Sequence, residues 1–391
     1  MIKLKPGLRI FCSRLESVTI PDSVTSIGLY AFDGCSLETI RIGTGIKSLP
    51  QQFSYYYDED VGNGGQRWDG TQLTSYNAKY YYNGDIAGWL SIDGLGTTND
   101  KEKYTYAYDR GMSELYINDK LVTDLVIPDG VTEIKRNYFD GFGHQFDSIT
   151  IPRSVTKIEP GALAFTENYE KVVDIYYQGT MQEWMNMDYY LRVHTDDAYN
   201  YYSASGLQFA NINLYIDGQL VTDFVIPDGI EEIPDYKFYN FNFSSVSIPD
   251  SVKSIGDWAF VGCTGLESVT IGDNVTSIGE MAFQNCSSLT SVKIPNNVTS
   301  IGGHAFNSCG KLTSVTIGDS VTSIGEQAFV FCGKLTSVTI GDSVTTIGDW
   351  AFGFCDNLTT VNYKGTEEQW NEITGIDQFG NVTINCNYTG E

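Results

Sequence analysis

The sequence predicts an α/β repeat solenoid, with one short parallel strand per turn of the coil and a short helical turn on the opposite side. Leu266, Leu289, Leu312, Leu335 and Leu358 fall 23 residues apart. Val269, Val292, Val315, Val338 and Val361 keep the same step, and so do Ile271, Ile294, Ile317 and Ile340, with Tyr363 in the next place. A fixed period of this length marks a unit that cannot bury its apolar face alone and stacks on copies of itself.

Each part of the repeat, or rung, follows from its residues. Val269, Thr270 and Ile271 alternate as a strand with one buried face, and the Gly-Asp or Pro-Asn after each strand is turn chemistry. The second apolar pair, Val275 and Ile278, reads as a short extended segment ending at Gly279. Glu280, Ala282 and Phe283 then suit one helical turn with an acid near its positive end. The rung is therefore strand, turn, extended segment, helical turn and return.

The rungs are interrupted, and the interrupting phrase is itself repeated. YNGDIAGWLSI from Tyr82, YQGTMQEWMNM from Tyr177 and YKGTEEQWNEI from Tyr363 share one plan. Thr180 with Glu183, and Thr366 with Gln369, form the S/T-x-x-E/Q signature of a helix start. Trp184 with Met187 and Trp370 with Ile373 share one helical side. These tryptophans are read as packing the short helix over the solenoid rather than as ligand platforms. The phrases LYINDKLVTDLVIPDGVTEI from Leu115 and LYIDGQLVTDFVIPDGIEEI from Leu214 restart the rungs.

The resulting plan is a single solenoid over 1–391: first rungs 1–55, insert with short helix 56–113, second rungs 114–175, insert with short helix 176–213, regular rungs 214–362, and a closing helix with a partial module 363–391. The chain begins inside a rung and stops in mid-module, so it reads as a segment of a longer protein or as a mature, processed form.

The balance of 24 Lys plus Arg against 49 Asp plus Glu gives a net charge of -25. An acidic surface repels phosphates, which argues against nucleic-acid binding. No apolar run approaches the roughly 18 residues that span a bilayer, so no membrane insertion is expected, and residues 1–20 lack a signal-peptide core.

Cys263, Cys286, Cys309, Cys332 and Cys355 share one position in the repeat, and Cys12 and Cys35 keep the same spacing. They read as a ladder of small buried thiols. No C-x-x-C or other clustered ligand set is present, so no metal and no cofactor are expected. The acidic runs at Asp58, Glu59, Asp60 and at Asp196, Asp197 lack ordered calcium-loop spacing. With only His144, His194 and His304, no H-E-x-x-H or G-x-S-x-G appears, and no catalysis is expected. His304 takes a variable position that holds Trp258, Met281, Gln327 or Trp350 in other rungs.

The phrases VTSIGEQAFVFC, YKGTEEQW and LYIDGQLVTDFVIPDG resemble the bacterial leucine-rich repeat subclass called BspA-like, over nearly the whole chain. The resemblance implies a horseshoe-like leucine-rich repeat solenoid. Members of that family are as a rule large surface or secreted proteins, frequently from host-associated microbes. Some act in adhesion to matrix proteins or other cells. It implies an extracellular or cell-surface location and no catalytic residues.

Two functions follow. The first is a binding module for a protein or glycan ligand, expected as a monomer. Tyr supplies large contact area at low entropic cost, and the inserts are dense in it: Tyr55, Tyr56 and Tyr57, then Tyr80, Tyr81 and Tyr82, then Tyr104, Tyr106 and Tyr108, then Tyr199, Tyr201 and Tyr202. Of these, Tyr55, Tyr57, Tyr104, Tyr106, Tyr201 and Tyr202 are the candidate ligand contacts. The alternative is a passive spacer projecting another domain, favoured by the near-identical rungs from Leu266 to Leu358.

Overall fold

Short parallel strands stacked rung on rung build the molecule, and two compact units divide it. The first holds Met1–Gln178, Met187–Tyr189 and Ala204–Ala210; the second holds Gly179–Asn186, Tyr190–Ser203 and Asn211–Glu391. The computed structural model describes residues 15–27, 32, 35, 37–48, 78–92, 113–135, 138–139, 142–159, 162–163, 171–189 and 211–390 in full. It describes 2–3, 53–56, 67–70, 192–193 and 202–203 by backbone alone.

In the first unit Ser17–Ile20, Thr39–Ile42, Lys79–Tyr82 and Glu114–Ile117 form a parallel ladder, and Asp124–Val126, Ser148–Ile151 and Val172–Tyr177 form another. A tight hairpin follows the first ladder, where Glu114–Ile117 turns through Asn118 and Asp119 (φ 50° and 60°) into Lys120–Leu121. The second unit repeats the device at Asp217 and Gly218, between Asn211–Ile216 and Gln219–Leu220. Two left-handed residues give the hairpin a twist that matches its strands. The shared LYI phrase is therefore a hairpin before it is a rung.

The second unit carries the regular rungs. Asp223–Val225, Ser245–Ser247 and Ser268–Thr270 pair in parallel, as do Ser291–Lys293, Ser314–Thr316, Ser337–Ile340, Thr360–Tyr363 and Thr383–Asn385. The extended segments make a ladder of their own: Glu232–Ile233, Ser254–Ile255, Ser277–Ile278, Ser300–Ile301, Ser323–Ile324 and Thr346–Ile347 pair in register. Each rung thus contributes two strands rather than the single one expected.

Inside, like stacks on like. Leu266, Leu289, Leu312 and Leu335 are fully buried, each stabilising by about 1.5–3 kcal/mol. Phe260, Phe283, Phe306, Phe329 and Phe352 form a column of nearly parallel rings with centroids 5.0–5.2 Å apart. Repeat glycines permit this closeness: a Cβ on Gly302 would lie 2.5 Å from backbone atoms of Gly279 one rung back.

The remaining side of the rung departs from the expected helical turn. Met281, His304, Gln327 and Trp350 are left-handed (φ 53–56°), and so, four residues on, are Asn285, Ser308, Phe331 and Phe354 (φ 56–61°). Consequently the N–H groups alternate in direction. Those of Met281, Phe283 and Asn285 donate to the carbonyls of Gly303, Ala305 and Asn307 on the next rung at 2.7–2.9 Å, while Ala282, Gln284 and Cys286 donate within their own rung. A helix would direct all of its N–H groups along its own axis and leave neighbouring rungs unpaired on this side.

Three short helices follow the Tyr-x-Gly phrases: α1 (Ile86–Leu90), α2 (Met181–Asn186) and α3 (Glu367–Glu372). Both expected capping boxes form. Glu183 N donates to Thr180 Oγ1 at 3.2 Å while Thr180 N donates to Glu183 Oε2 at 2.8 Å, and Thr366 with Gln369 repeats the pattern. Trp89, Trp184 and Trp370 are buried, as are Met187 and Ile373, so the packing reading of the tryptophans holds. Tyr363 lies against Trp370 with ring centroids 5.3 Å apart. The glycine of the phrase makes room for that tyrosine, since a Cβ on Gly365 would meet its ring at 2.6 Å.

Candidate functional site

The parallel strands of the first unit turn alternate residues outward, and the register aligns them into rows. Ser17, Thr39, Lys79 and Glu114 form one row, and Thr19, Arg41, Tyr81 and Tyr116 form the other. Between them Ile40, Tyr80 and Leu115 point into the core, as does Tyr82 beyond the second row. The outward rows make a connected cluster. Tyr81 and Tyr116 stack at 4.4 Å, and the Arg41 guanidinium lies 4.1 Å from the centre of the Tyr81 ring. Arg41 also pairs with Asp119 of the hairpin turn at 2.7 Å, and Lys79 pairs with Glu114 at 3.2 Å.

Charge and hydroxyl are coupled here. Tyr116 Oη donates to Glu114 at 2.8 Å. That bond and the one from Lys79 hold the Glu114 carboxyl below its ordinary range, while the hydrogen bond to Glu114 pushes both Lys79 and Tyr116 up. The result is a pre-ordered aromatic and ionic surface with donors, acceptors and ring faces held in place.

The second unit offers a plainer strand face. Ser268, Thr270, Ser291 and Lys293 are exposed, and Ser314, Thr316, Ser337 and Thr339 are half-buried. Many other threonines of these rungs serve the stack itself: Thr299, Thr322 and Thr345 each bond the carbonyl of the equivalent residue one rung back at 3.1–3.2 Å.

The candidate tyrosines fall into three groups. Tyr80 and Tyr82 are core residues of a strand, leaving only Tyr81 of that triplet on the face. Tyr55 lies on Phe53–Tyr56, antiparallel to Arg67–Gly70 and in register with Trp68. Tyr202 lies on a second small hairpin, opposite Val193. Tyr57, Tyr104, Tyr106 and Tyr201 lie outside the described residues, as do the acidic runs at 58–60 and 196–197. Arg41, Lys79, Glu114 and Tyr116 were missed by sequence reasoning. The strand alternation could have revealed them, because it puts each opposite a Ser or Thr position of the regular rungs.

The repeat cysteines are buried thiols. Cys263, Cys286, Cys309 and Cys332 have no exposed surface, and Cys355 has 8%. Each Sγ donates to the carbonyl of the phenylalanine one rung back, Cys286 to Phe260 and Cys309 to Phe283 among them, at 3.2–3.4 Å. Burial raises the Cys286 thiol well above its usual value and pushes Cys309 up to about 12. Among the described residues no three His, Cys, Asp or Glu side chains gather as a metal site, and no helix is long and apolar enough to cross a membrane.

A family model described as BspA type leucine-rich repeat region matches in several copies, over residues 10–59, 113–180, 213–332 and 304–374. This chain belongs to the BspA-type leucine-rich repeat family. Among solved structures, a leucine-rich repeat protein from Bacteroides ovatus matches with 20% identity and a TM-score of 0.51, covering 98% of this chain and 87% of that one. Its likeness shows the shared repeat fold. A leucine-rich cell surface protein from Faecalibacterium prausnitzii matches at 22% identity and a TM-score of 0.43, over 95% of this chain and 85% of that one. A T. pallidum leucine-rich repeat protein is 34% identical over 37% of this chain and 73% of its own, with a TM-score of 0.34. No curated protein matches. For this BspA-type chain, the fold is that of a general protein-interaction scaffold.

Proposed function

We propose that this protein is a non-catalytic binding module, displayed at the cell surface or secreted, that recognises a protein or glycan in adhesion. One observation supports it most: where the regular rungs present Ser and Thr, the first unit presents Arg41, Tyr81, Tyr116, Lys79 and Glu114 as one interlocked cluster. Aromatic residues and Arg are the side chains that dominate binding energy at interfaces. The tyrosine-rich inserts, with Tyr55, Tyr57, Tyr104, Tyr106, Tyr201 and Tyr202, belong to the same reading, since Tyr supplies large contact area at low entropic cost. The surface location rests on family membership. The test is an array of glycans and matrix proteins probed with residues 1–391. A hit that competes with its own soluble ligand supports the module, and a blank array counts against it.

The near-identical rungs from Leu266 to Leu358 favour a second role for that stretch, as a spacer. Repetition supplies length at constant chemistry.

A further inference from the structure

Three aromatic rings stand out of the last regular rungs. Phe331, Trp350 and Phe354 expose 52%, 60% and 54% of their surface. Their planes are nearly parallel: Phe331 to Phe354 is 4.7 Å at 10°, and Trp350 to Phe354 is 5.7 Å at 11°. Adjacent rungs hold them in place, with Phe331 N donating to Gly353 O at 3.0 Å.

Neither burial nor backbone preference explains these residues. All three are left-handed, with φ 56–61°, a conformation that bulky side chains adopt at a cost and that Gly or Asn adopts readily. The same positions in other rungs carry Gly262 or Asn285 in place of the phenylalanines, and Gln327 in place of Trp350. Local packing fixes the tryptophan. Its ring lies over Gly353, where an added Cβ would meet Cε3 at 3.0 Å. In the rung of Trp258 that place is filled by Val261, and the indole lies on Tyr236 instead.

Charge selects the occupant. Asp349 immediately precedes Trp350, Glu326 holds the same place one rung back, and Asp356 follows Phe354 by two residues; all three are exposed. Residues 325–380 carry eight carboxylates against two lysines, and one of those, Lys364, is paired with Asp319 at 2.8 Å. A second copy of the chain would bring another net charge of -25 to this surface. A neutral glycan could hydrogen-bond to the carboxylates but would gain no charge attraction from them. A guanidinium or ammonium gains from both the rings and the acids.

We propose that Phe331, Trp350 and Phe354, flanked by Glu326 and Asp349, form a docking platform for an arginine- and lysine-rich segment of a partner protein. Its residues belong to the second unit and the Arg41 cluster to the first, so it can hold or fail independently of that site.

The test titrates the full chain with a peptide of alternating Arg and Gly, and with the same peptide carrying Gln for Arg, at low and high salt. The comparison protein carries Trp350→Gln, Phe331→Ser and Phe354→Ser, residues that Gln327 and Ser308 show the rung accepts. Its fold is checked by circular dichroism. The wild type binds the Arg peptide in preference to the Gln peptide, and the variant binds it about tenfold more weakly. A conservative Trp350→Phe variant retains most of the affinity. Equal binding by wild type and triple variant would overturn the platform, because the acidic surface alone would then suffice. So would equal binding of the Arg and Gln peptides, loss in the variant of binding to a neutral oligosaccharide mixture rather than to the peptide, or self-association by sedimentation that the variant abolishes.

Discussion

The side-chain carbonyl of Gln378 accepts the backbone N–H of Phe352 at 3.0 Å. One rung earlier the corresponding N–H, that of Phe329, donates to the carbonyl of Ala351 on the next rung. Gln378 thus supplies the acceptor that a backbone carbonyl of the next rung supplies elsewhere, while its amide nitrogen donates to the carbonyls of Gly348 and Gly375 at 3.2 and 2.7 Å. Phe379 and Trp370 cover the end of the phenylalanine column beside it. On this side of the rung the helix and the turn after it satisfy the polar groups and cover the ring column, while on the strand side Thr383–Asn385 continues the ladder.

Gln378→Ala should therefore destabilise the second unit by about 1–3 kcal/mol, the cost of leaving a buried N–H unpaired. Urea unfolding followed by circular dichroism measures it. Asn385→Ala, on the exposed face, serves as the comparison and should shift the midpoint far less. Equal midpoints for Gln378→Ala and the wild type would show that solvent satisfies Phe352 equally well.

The cysteine ladder makes a kinetic prediction. The thiolate is the species that reacts, and burial disfavours it at Cys263, Cys286 and Cys309. Native alkylation should reach the half-buried Cys35 and Cys386 first, and Cys286 and Cys309 only on unfolding. Each thiol also donates to a phenylalanine carbonyl one rung back, and the stacked side chains point the same way, so no bridge should form between rungs. Mass spectrometry of native and urea-treated samples decides it. Rapid native labelling of Cys286, or a Cys286 to Cys309 bridge, would contradict the geometry.

The period, the outward alternation of the strands, the buried thiols and both capping boxes were legible because each depends on local spacing or on a pair three residues apart. The helical turn expected at Glu280 to Phe283 failed for a physical reason. Pairing between rungs needs alternate N–H groups turned sideways, and the chain obtains this with left-handed residues that include His304, Gln327 and Phe331, types that do not announce that conformation. Gly262 and Asn285 at one of these positions were the available hint. The hairpin at Asp217 and Gly218 carries an Asp-Gly turn signature, but the rung period does not contain it, because the hairpin precedes the strand that the period predicts. The Arg41 cluster was hidden because its members lie far apart in sequence and meet only through strand register. The inserts carrying Tyr57, Tyr104 and Tyr106 offer no period from which a contact could be argued.

The Glu114 cluster predicts a pH dependence. Its folded value is depressed, so its contribution to stability is present above the unfolded value of about 4.3 and is lost as pH falls through the lower folded value. Wild type should lose more stability than Glu114→Gln on going from neutral to acid, and the two should converge once the carboxylate is protonated. The carboxylate is partly exposed, so the effect is a modest shift in urea midpoint. Parallel pH profiles for the two proteins would show that Tyr116 and Lys79 leave its protonation unchanged.

Recognition by the Arg41 cluster and the tyrosine-rich inserts predicts an ordering among three sets of substitutions. Changing Arg41, Tyr81 and Tyr116 to Ser removes a ring pair and the cation stacked on it. Changing Tyr55, Tyr57, Tyr104, Tyr106, Tyr201 and Tyr202 to Ser strips the insert contacts. Changing Thr270, Thr316 and Thr339 to Ala alters a face that regular rungs present in nearly the same form each time, which gives a partner little to discriminate. Affinity for an array-selected ligand should fall by roughly tenfold or more in the first two sets, since truncated aromatic and Arg anchors typically cost over 1 kcal/mol each. It should change little in the third. Circular dichroism must first show all three folded. Loss of binding confined to the threonine set would place recognition on the regular strand face and leave the Arg41 cluster as a local staple between Thr39–Ile42 and Glu114–Ile117.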